Sequence, residues 1–440
     1  MKILSPGRNF FIASIYALIY NYVYGNYIYN VWGSMCDGAY NPMQLQGYVL
    51  YILLTSIPFV FYRGLKTISS AFSLFVYAFV YVPFVDALLV NNYPKDVTVS
   101  YTLLFFLIMC AFFMTDKVFL LKRLFKQQKK LMSFDVIIVL TFVLLALALV
   151  LNIKQLHFVN FFSESEELYS LRAETQLNGI YIVCWLRAAF LPLLLVYYLN
   201  RKSFIGVSVV FVAYLLVFML DKQKLTIIFP FALTVIYFAY IYYNMAFSKN
   251  FHIFLFFLFS IVSLIITSLD TSPITLTLGL IIVLRIQCIA GMELERYFDF
   301  FVLHDHPHTY YTHIGIIDKL TGLYPYGEQS IGQVVAGDGG NSNAAFWLMD
   351  GVAAAGMVGC IIISILFILF KSVMNSLDSR CSVGICVTVL LFGLQAMINM
   401  SLMTAIVSNG FLVLFFLFLF VDVGAIERKG RVSIRSKGTR

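Results

Sequence analysis

Charge is scarce in this 440-residue chain: Asp, Glu, Lys and Arg make up 12% of it, against 61% hydrophobic residues and a mean hydropathy of +0.88. That scarcity excludes a soluble globular fold, because no core could hide so much apolar surface. An extended basic face is missing too. The net charge of +8 comes from short clusters between apolar runs, which is the pattern of membrane-topology signals and not of nucleic-acid recognition. The seven cysteines are scattered, without CxxC or metal-ligand spacing. Only Cys36 and Cys288 fall outside the apolar spans on one side, so a disulfide would have to join those two. There is no phosphate-binding loop of the GxxxxGK type, no strong internal repeat and no soluble domain. No small-x-small cleavage site follows Lys2, Arg8 and the first apolar run, so that run is expected to stay as an uncleaved span.

What the chain has in abundance is apolar runs of about 18 residues or more, each long enough to cross ~30 Å of hydrocarbon. A hydropathy window of about 19 residues predicts about twelve transmembrane helices in one all-α polytopic membrane domain, 1–440. They lie near 9–31, 45–62, 68–90, 99–118, 132–152, 180–199, 204–220, 227–247, 251–269, 353–371, 381–402 and 404–423. The long connections are 153–179 and 270–352, which twelve crossings place on the same side. That arrangement puts 21 of the 30 basic residues on one face and eight on the other, with Arg187 inside a span. By the positive-inside rule both termini are cytoplasmic and both long loops face outward. The basic tail 424–440 then reads as a cytoplasmic anchor near anionic lipid. The first span ends in Tyr22, Tyr24, Tyr27, Tyr29 and Trp32, which suggests an interfacial belt, the role expected of most of the 28 tyrosines.

Chemistry in so apolar a chain needs a wet place, and the largest is the polar island from Asp270 to Asp350. It holds four of the six histidines and nine carboxylates. Arg187, in IYIVCWLRAAFLPLLL, stands about seven residues into its span, roughly 10 Å below the outer surface. A charge there faces a partner or a wet cavity, unless it snorkels to the headgroups. Arg172, in SESEELYSLRAETQLNG, is either a surface arginine paired with nearby glutamates or a second guanidinium reaching the same anion as Arg187. Lys224, in the outward turn Asp221-Lys222-Gln223-Lys224 before Thr226, adds charge to the positive end of a helix dipole, which suits phosphate. The alternative is an ordinary hairpin turn. Arg285 lies in SPITLTLGLIIVLRIQCIAGMELERYFDFF, expected as a helix in the outer interface, too broken for a secure crossing. Arg296 is expected to pair with Glu293 or Asp299. His304, His306, His308 and His313, in HDHPHTYYTH, have H-x-H spacing that would suit zinc, but Pro307 disrupts regular structure and no fourth ligand is fixed. A histidine serving as general base is favoured over zinc, and polar surface is the remaining reading. GDGGNSNAAFWLMDGVAAAGMVG supplies turns and small residues for close packing, and is read first as a structural re-entry into the membrane.

Together these residues resemble the oligosaccharide repeat-unit polymerases of bacterial surface polysaccharides, the O-antigen polymerases of Wzy type. The likeness covers the whole architecture. It is most specific at Arg172 followed by the Arg187 span, at the DKQK turn, and at the stretch from YPYGEQSIGQVV through Asn341 and Asn343 to Gly351, Gly356 and Gly359. An Arg-x10-Gly loop pattern is absent, since Gly179 and Gly291 follow Arg172 and Arg285 at shorter spacing. The resemblance implies a GT-C-like membrane glycosyltransferase in the bacterial inner membrane. It would transfer a growing chain from undecaprenyl pyrophosphate to a lipid-linked repeat unit, with no cofactor. Its partners would be that lipid-linked oligosaccharide, membrane lipids, and a chain-length regulator and flippase of the same pathway; nucleic acid is not among them. Arg172, Arg187, Lys224 and Arg285 are the expected pyrophosphate ligands, since guanidinium and ammonium groups stabilise that leaving group without a metal. His313, His308, Asp299 and Glu328 are the candidate bases. A flippase or other transporter, and an O-antigen ligase, are the competing functions. A phosphatase fusion after about residue 320 should report outside and one after about residue 250 inside; the reverse pattern would overturn the topology.

Overall fold

A computed structural model of the chain describes residues 6–33, 41–91, 93–120, 132–157, 177–270, 272–337, 340–379 and 382–421, with backbone alone at 243–248 and 378–379. The described residues are helical apart from loops and one isolated bridge, Met132 to Val421. The helices are α1 (Pro6–Val23), α2 (Leu45–Val60), α3 (Ile68–Val90), α4 (Lys95–Met114), α5 (Phe134–Leu151), α6 (Ile180–Asn200) and α7 (Phe204–Asp221). They continue with α8 (Lys224–Tyr242), α9 (Lys249–Ser268), α10 (Pro273–Leu303), α11 (Trp347–Leu377), α12 (Val383–Ala396) and α13 (Leu402–Phe420). Ten of these, all but α1, α2 and α12, are long and apolar enough to cross a membrane. The chain is therefore a polytopic all-α membrane protein by helix length and composition.

Nine of the expected spans coincide with members of that set of ten. The runs near 45–62 and 381–402 form the shorter helices α2 and α12, and the first run is helical but more polar. The tenth member, α10, is the segment expected to be broken. It is instead helical over 31 residues, with π segments at Gly279–Cys288 and Asp299–Leu303 absorbing the irregularity. The fusion test above decides whether it crosses.

Where the absence of linkers reads as one domain, the described residues divide into two compact units. The first comprises Met1–Val118, Lys249–Ser372 and Gln395–Met403, and the second Phe119–Ser248, Val373–Leu394 and Thr404–Arg440. The chain passes between them several times, so no composition shift marks the division.

Tyrosine does different work from that expected of it. Tyr22 is 52% exposed, but Tyr16, Tyr20, Tyr24, Tyr51, Tyr77, Tyr81, Tyr197, Tyr214 and Tyr297 are buried. For three of them, Tyr81, Tyr16 and Tyr214, the reason lies in the prolines. Pro58 has no N–H for the Leu54 carbonyl one turn earlier, and the Tyr81 hydroxyl donates to that carbonyl at 2.7 Å. In YAFVYVP a π turn shifts the register so that Val82 N–H bonds Tyr77 O, and the next carbonyl, Ala78, would fall to Pro83. Tyr16 donates to Ala78 O at 3.0 Å instead. In the second unit LRAAFLP repeats the device: Leu191 N–H bonds Leu186 O, Pro192 has nothing to offer Arg187 O, and Tyr214 donates to it at 3.4 Å. In hydrocarbon an unpaired carbonyl costs several kcal/mol, so a phenol is more useful here than a phenyl ring.

α11 is two helices. Ala355 (φ −161°, ψ 35°) and Gly356 (φ 58°, ψ −134°) break it, and the arm before the break folds back along the arm after it. Phe346 stacks on Phe367 with centroids 4.9 Å apart, Trp347 Nε1 donates to Ser364 Oγ at 2.9 Å, and Cys360 Sγ lies 3.4 Å from Trp347 O. Near the tip, a Cβ on Gly359 would strike the Gly351 carbonyl, so only small residues permit the approach. Trp347 is fully buried among Phe84, Phe105 and Phe112. The re-entry read from the Gly- and Ala-rich sequence is thus a helical hairpin within the first unit, ending at Gly356.

Removing the Tyr81 hydroxyl strands the Leu54 carbonyl, at a cost of about 1–3 kcal/mol. Tyr81→Phe should lower the melting temperature in detergent. Adding Pro58→Ala, which restores an N–H, should recover much of the loss; equal melting of Tyr81→Phe with and without Pro58→Ala would refute this account.

Candidate functional site

The helix break at Gly356 leaves carbonyls that a continuous helix would have used. Two loop residues take them: Thr309 N–H bonds Ala353 O and Tyr310 N–H bonds Ala354 O, both at 2.9 Å. This backbone pairing fixes the histidine-bearing loop on the hairpin tip. It does so under strain, since Tyr310 (φ 45°) and Tyr311 (φ 67°) both adopt left-handed conformations. Neighbouring non-glycine residues in that region cost of order 1–3 kcal/mol each and persist only where surrounding contacts hold them. Tyr311 also donates to Gly359 O at 3.3 Å. Its hydroxyl pKa is pushed up to about 12 by burial and, second, by the Asp350 carboxylate.

The docked loop places His313 against the re-entrant arm. His313 Nε2 lies 3.0 Å from Asp350 Oδ1, and its Nδ1 lies 2.9 Å from Thr309 Oγ1. The imidazole is 8% exposed and the carboxylate 1%. The second Asp350 oxygen accepts from Leu402 N–H at 2.6 Å. With Nε2 protonated and donating to Asp350, Nδ1 is the basic nitrogen and Thr309 donates to it. A carboxylate that fixes the tautomer of a histidine whose other nitrogen faces a hydroxyl is a general-base arrangement.

The other three candidate bases are placed differently. His308 stacks on Phe301 (centroids 5.9 Å apart, 11° between planes), and its Nδ1 is buried without a hydrogen-bond partner. Its Nε2 and the Tyr101 hydroxyl both approach Gly356, at 3.7 and 3.6 Å from where a Cβ would stand. Asp299 is half exposed and sits 3.5 Å from His304. Glu328 is exposed on the loop. His306 stacks on Phe300 at 3.9 Å. Among the described residues no three His, Cys, Asp or Glu side chains converge as metal ligands.

Of the expected cationic set, Arg172 and the glutamates around it lie outside the described residues, as does Cys36. Arg285 is a half-buried residue of the first unit. Arg187 and Lys224 belong to the second unit, and the turn after α7 links them. Arg187 Nη1 pairs with Asp221 Oδ2 at 2.7 Å, and both side chains are 5% exposed. Asp221 also accepts from Thr226 Oγ1 at 2.8 Å and from Gln223 N–H at 2.9 Å. Lys222 and Lys224 in the same turn are 3% and 9% exposed. The guanidinium stacks over Phe392 at 4.6 Å, and its Nε has no hydrogen-bond partner. Arg187 therefore neither snorkels nor stands alone: it is the cation of a buried pair.

Asp350 and Thr309 were not among the expected site residues. A signal for Asp350 existed, a lone carboxylate in the apolar run FWLMDGVAAAG, since an ionisable group at membrane depth is a functional candidate. Thr309 carried none. No family model matches the chain, nor does any curated protein or solved structure. The site rests on its own geometry.

Arg187→Ala would leave Asp221 buried without its cation, at a cost of about 3–5 kcal/mol. Thermal unfolding should show that loss and its partial recovery in Arg187→Ala/Asp221→Ala; two independent, additive losses would rule out a coupled pair.

Proposed function

We propose that this protein is a membrane glycosyltransferase that polymerises lipid-linked oligosaccharide repeat units at the outer face of a bacterial inner membrane. The observation that carries the proposal is the His313–Asp350 pair, buried beneath a loop that is docked on a broken membrane helix. The reaction class needs one base and one stabilised leaving group. An acceptor hydroxyl oxygen attacks the anomeric carbon and forms the new glycosidic bond. The bond from that carbon to the pyrophosphate oxygen breaks, and the electron pair leaves with undecaprenyl pyrophosphate. The hydroxyl proton goes to His313 Nδ1, in the place that Thr309 Oγ1 fills here, while Asp350 stabilises the imidazolium that forms. For Arg172, Arg187, Lys224 and Arg285 a role at the pyrophosphate is what the resemblance implies, and the His313 step is argued without them.

A second reading, a lipid-linked oligosaccharide transporter, draws support from the broken hairpin, because transporters build binding sites at interrupted membrane helices. Electrophoresis of the surface polysaccharide separates the two. Loss of a polymerase leaves single repeat units on the lipid core, whereas loss of a flippase or ligase leaves none. Asp350→Asn, which keeps the shape and the Leu402 contact, should give the single-unit pattern at normal protein level, with a rate loss of about 10²–10⁴-fold. Arg187→Lys should rescue poorly, since the planar fork is lost. Normal polymer in Asp350→Asn cells would remove His313 from catalysis.

A further inference from the structure

The strongest unexplained feature lies at the other end of α4 from Tyr101 and the hairpin tip. There the turn between α2 and α3, the end of α4 and the start of α9 bring together Arg63, Lys66, Lys117 and Lys249, all in the first unit. Arg63, Lys66 and Lys117 line one concavity, with Thr67, Ser70 and Asp116 among its other walls. Lys249 is near enough to act on Lys66, whose pKa is lowered first by burial and then by Lys117, Arg63 and Lys249.

Topology signals require only positive charge near a membrane face. They do not require cations from two chain segments to line one hollow with a third segment's lysine beside it, which raises their mutual repulsion. The carboxylate in the wall does not offset it. Asp116 already accepts from Ser73 at 2.6 Å, from Ser69 at 3.1 Å and from the fully buried Lys371 at 2.9 Å. A second observation is independent of the charges. Tyr62, between Phe61 and Arg63 of the wall, is 1% exposed and its hydroxyl has no hydrogen-bond partner. Its ring packs 5.6 Å from Phe113, another wall residue, and its hydroxyl feels the Asp116 charge. Behind it, Asn9 Oδ1 and both ring nitrogens of His252 are also buried without partners, and the His252 ring lies 5.2 Å from that of Tyr62. Orphaned buried polar atoms in native folds call for a partner such as water, an ion or a ligand.

We propose that Arg63, Lys66 and Lys117, with Lys249 beside them, form a binding site for a phosphate-bearing anion, distinct from the His313 region. Ammonium and guanidinium groups take the phosphate oxygens. A phospholipid headgroup and a free phosphate offer the same chemistry.

The test uses the full-length protein in detergent. Phosphatidylglycerol micelles, phosphatidylcholine micelles and inorganic phosphate are added in separate arms, and the melting temperature is followed. A bound anion should raise it by about 3 °C near saturation. A shift with phosphatidylglycerol alone identifies a lipid headgroup, and a shift with inorganic phosphate identifies the free anion. In either case Lys66→Gln/Lys117→Gln should abolish the shift, and Arg201→Gln/Lys202→Gln, on the second unit, should retain it. Lys66→Gln alone guards against a double variant that fails to fold, since the Lys66 side chain lines the concavity and is exposed. It should weaken binding about 3- to 10-fold. The proposal fails if neither anion shifts the wild type, if the Arg201/Lys202 variant loses the shift equally, or if Lys66→Gln binds as well as wild type.

Discussion

Every backbone carbonyl released inside an apolar medium must find a donor, and this constraint shapes the rest of the structure. Water is absent, and each unmet group costs several kcal/mol. A chain of unbroken helices would meet the constraint within each helix, but such a chain would have nowhere to hold a polar site. Here breaks are introduced at Pro58, Pro83, Pro192 and Gly356, and each released carbonyl is matched from a neighbour. Three are met by tyrosine hydroxyls. At the fourth break two are met by backbone N–H groups of a loop. The choice of donor matters. A phenol can satisfy a carbonyl and leave its own backbone undisturbed, whereas a loop that lends its N–H groups is itself fixed in place.

That second case ties fold to function. The Thr309 and Tyr310 amides cannot bond Ala353 and Ala354 unless the loop lies against the hairpin tip. Once it does, Thr309 and His313 stand over Asp350 on the re-entrant arm. Small residues are needed on both arms, because Gly351 and Gly359 touch where a side chain would hold the helices apart. The stretch of glycine and alanine is thus the condition for the candidate site, while the loop supplies its histidine and threonine.

Much of this was legible in the sequence, and the part that was not has a common cause. Span positions followed from hydropathy because burial in lipid depends on local composition alone. Arg187 stood out because a charge inside an apolar run is costly wherever its partner lies. Its partner Asp221 was visible only as part of a turn, since 34 residues separate the two and no periodicity links them. His313 was one of four histidines without distinction, and only its contact with Asp350, 37 residues away, sets it apart. The tyrosines misled for a different reason. Their composition suits an interfacial belt and a hydrogen-bonded interior equally well, and proline was the missing clue. A proline five residues after a position in YAFVYVP or LRAAFLP marks a carbonyl that needs help, and tyrosine on another span is a natural donor.

Two buried ion pairs, Lys371–Asp116 and Arg187–Asp221, differ in how fully the cation is used. Lys371 is fully buried, and its ammonium donates to Asp116, Ser73 and the Phe112 carbonyl, which uses all three of its protons. Asp116 is in turn bonded by Ser69 and Ser73. Such a closed network offers nothing to a ligand, and its role is to join α3, α4 and α11 within the first unit. Arg187 has five N–H protons. One nitrogen serves Asp221, another has only the Cys184 sulfur at 4.0 Å, and Nε has no partner. Burying a guanidinium with donors to spare is costly for stability alone, since a lysine or an apolar pair would leave fewer unmet groups. Of these two buried cations, then, Lys371 spends every proton on the fold, whereas Arg187 keeps donors unused.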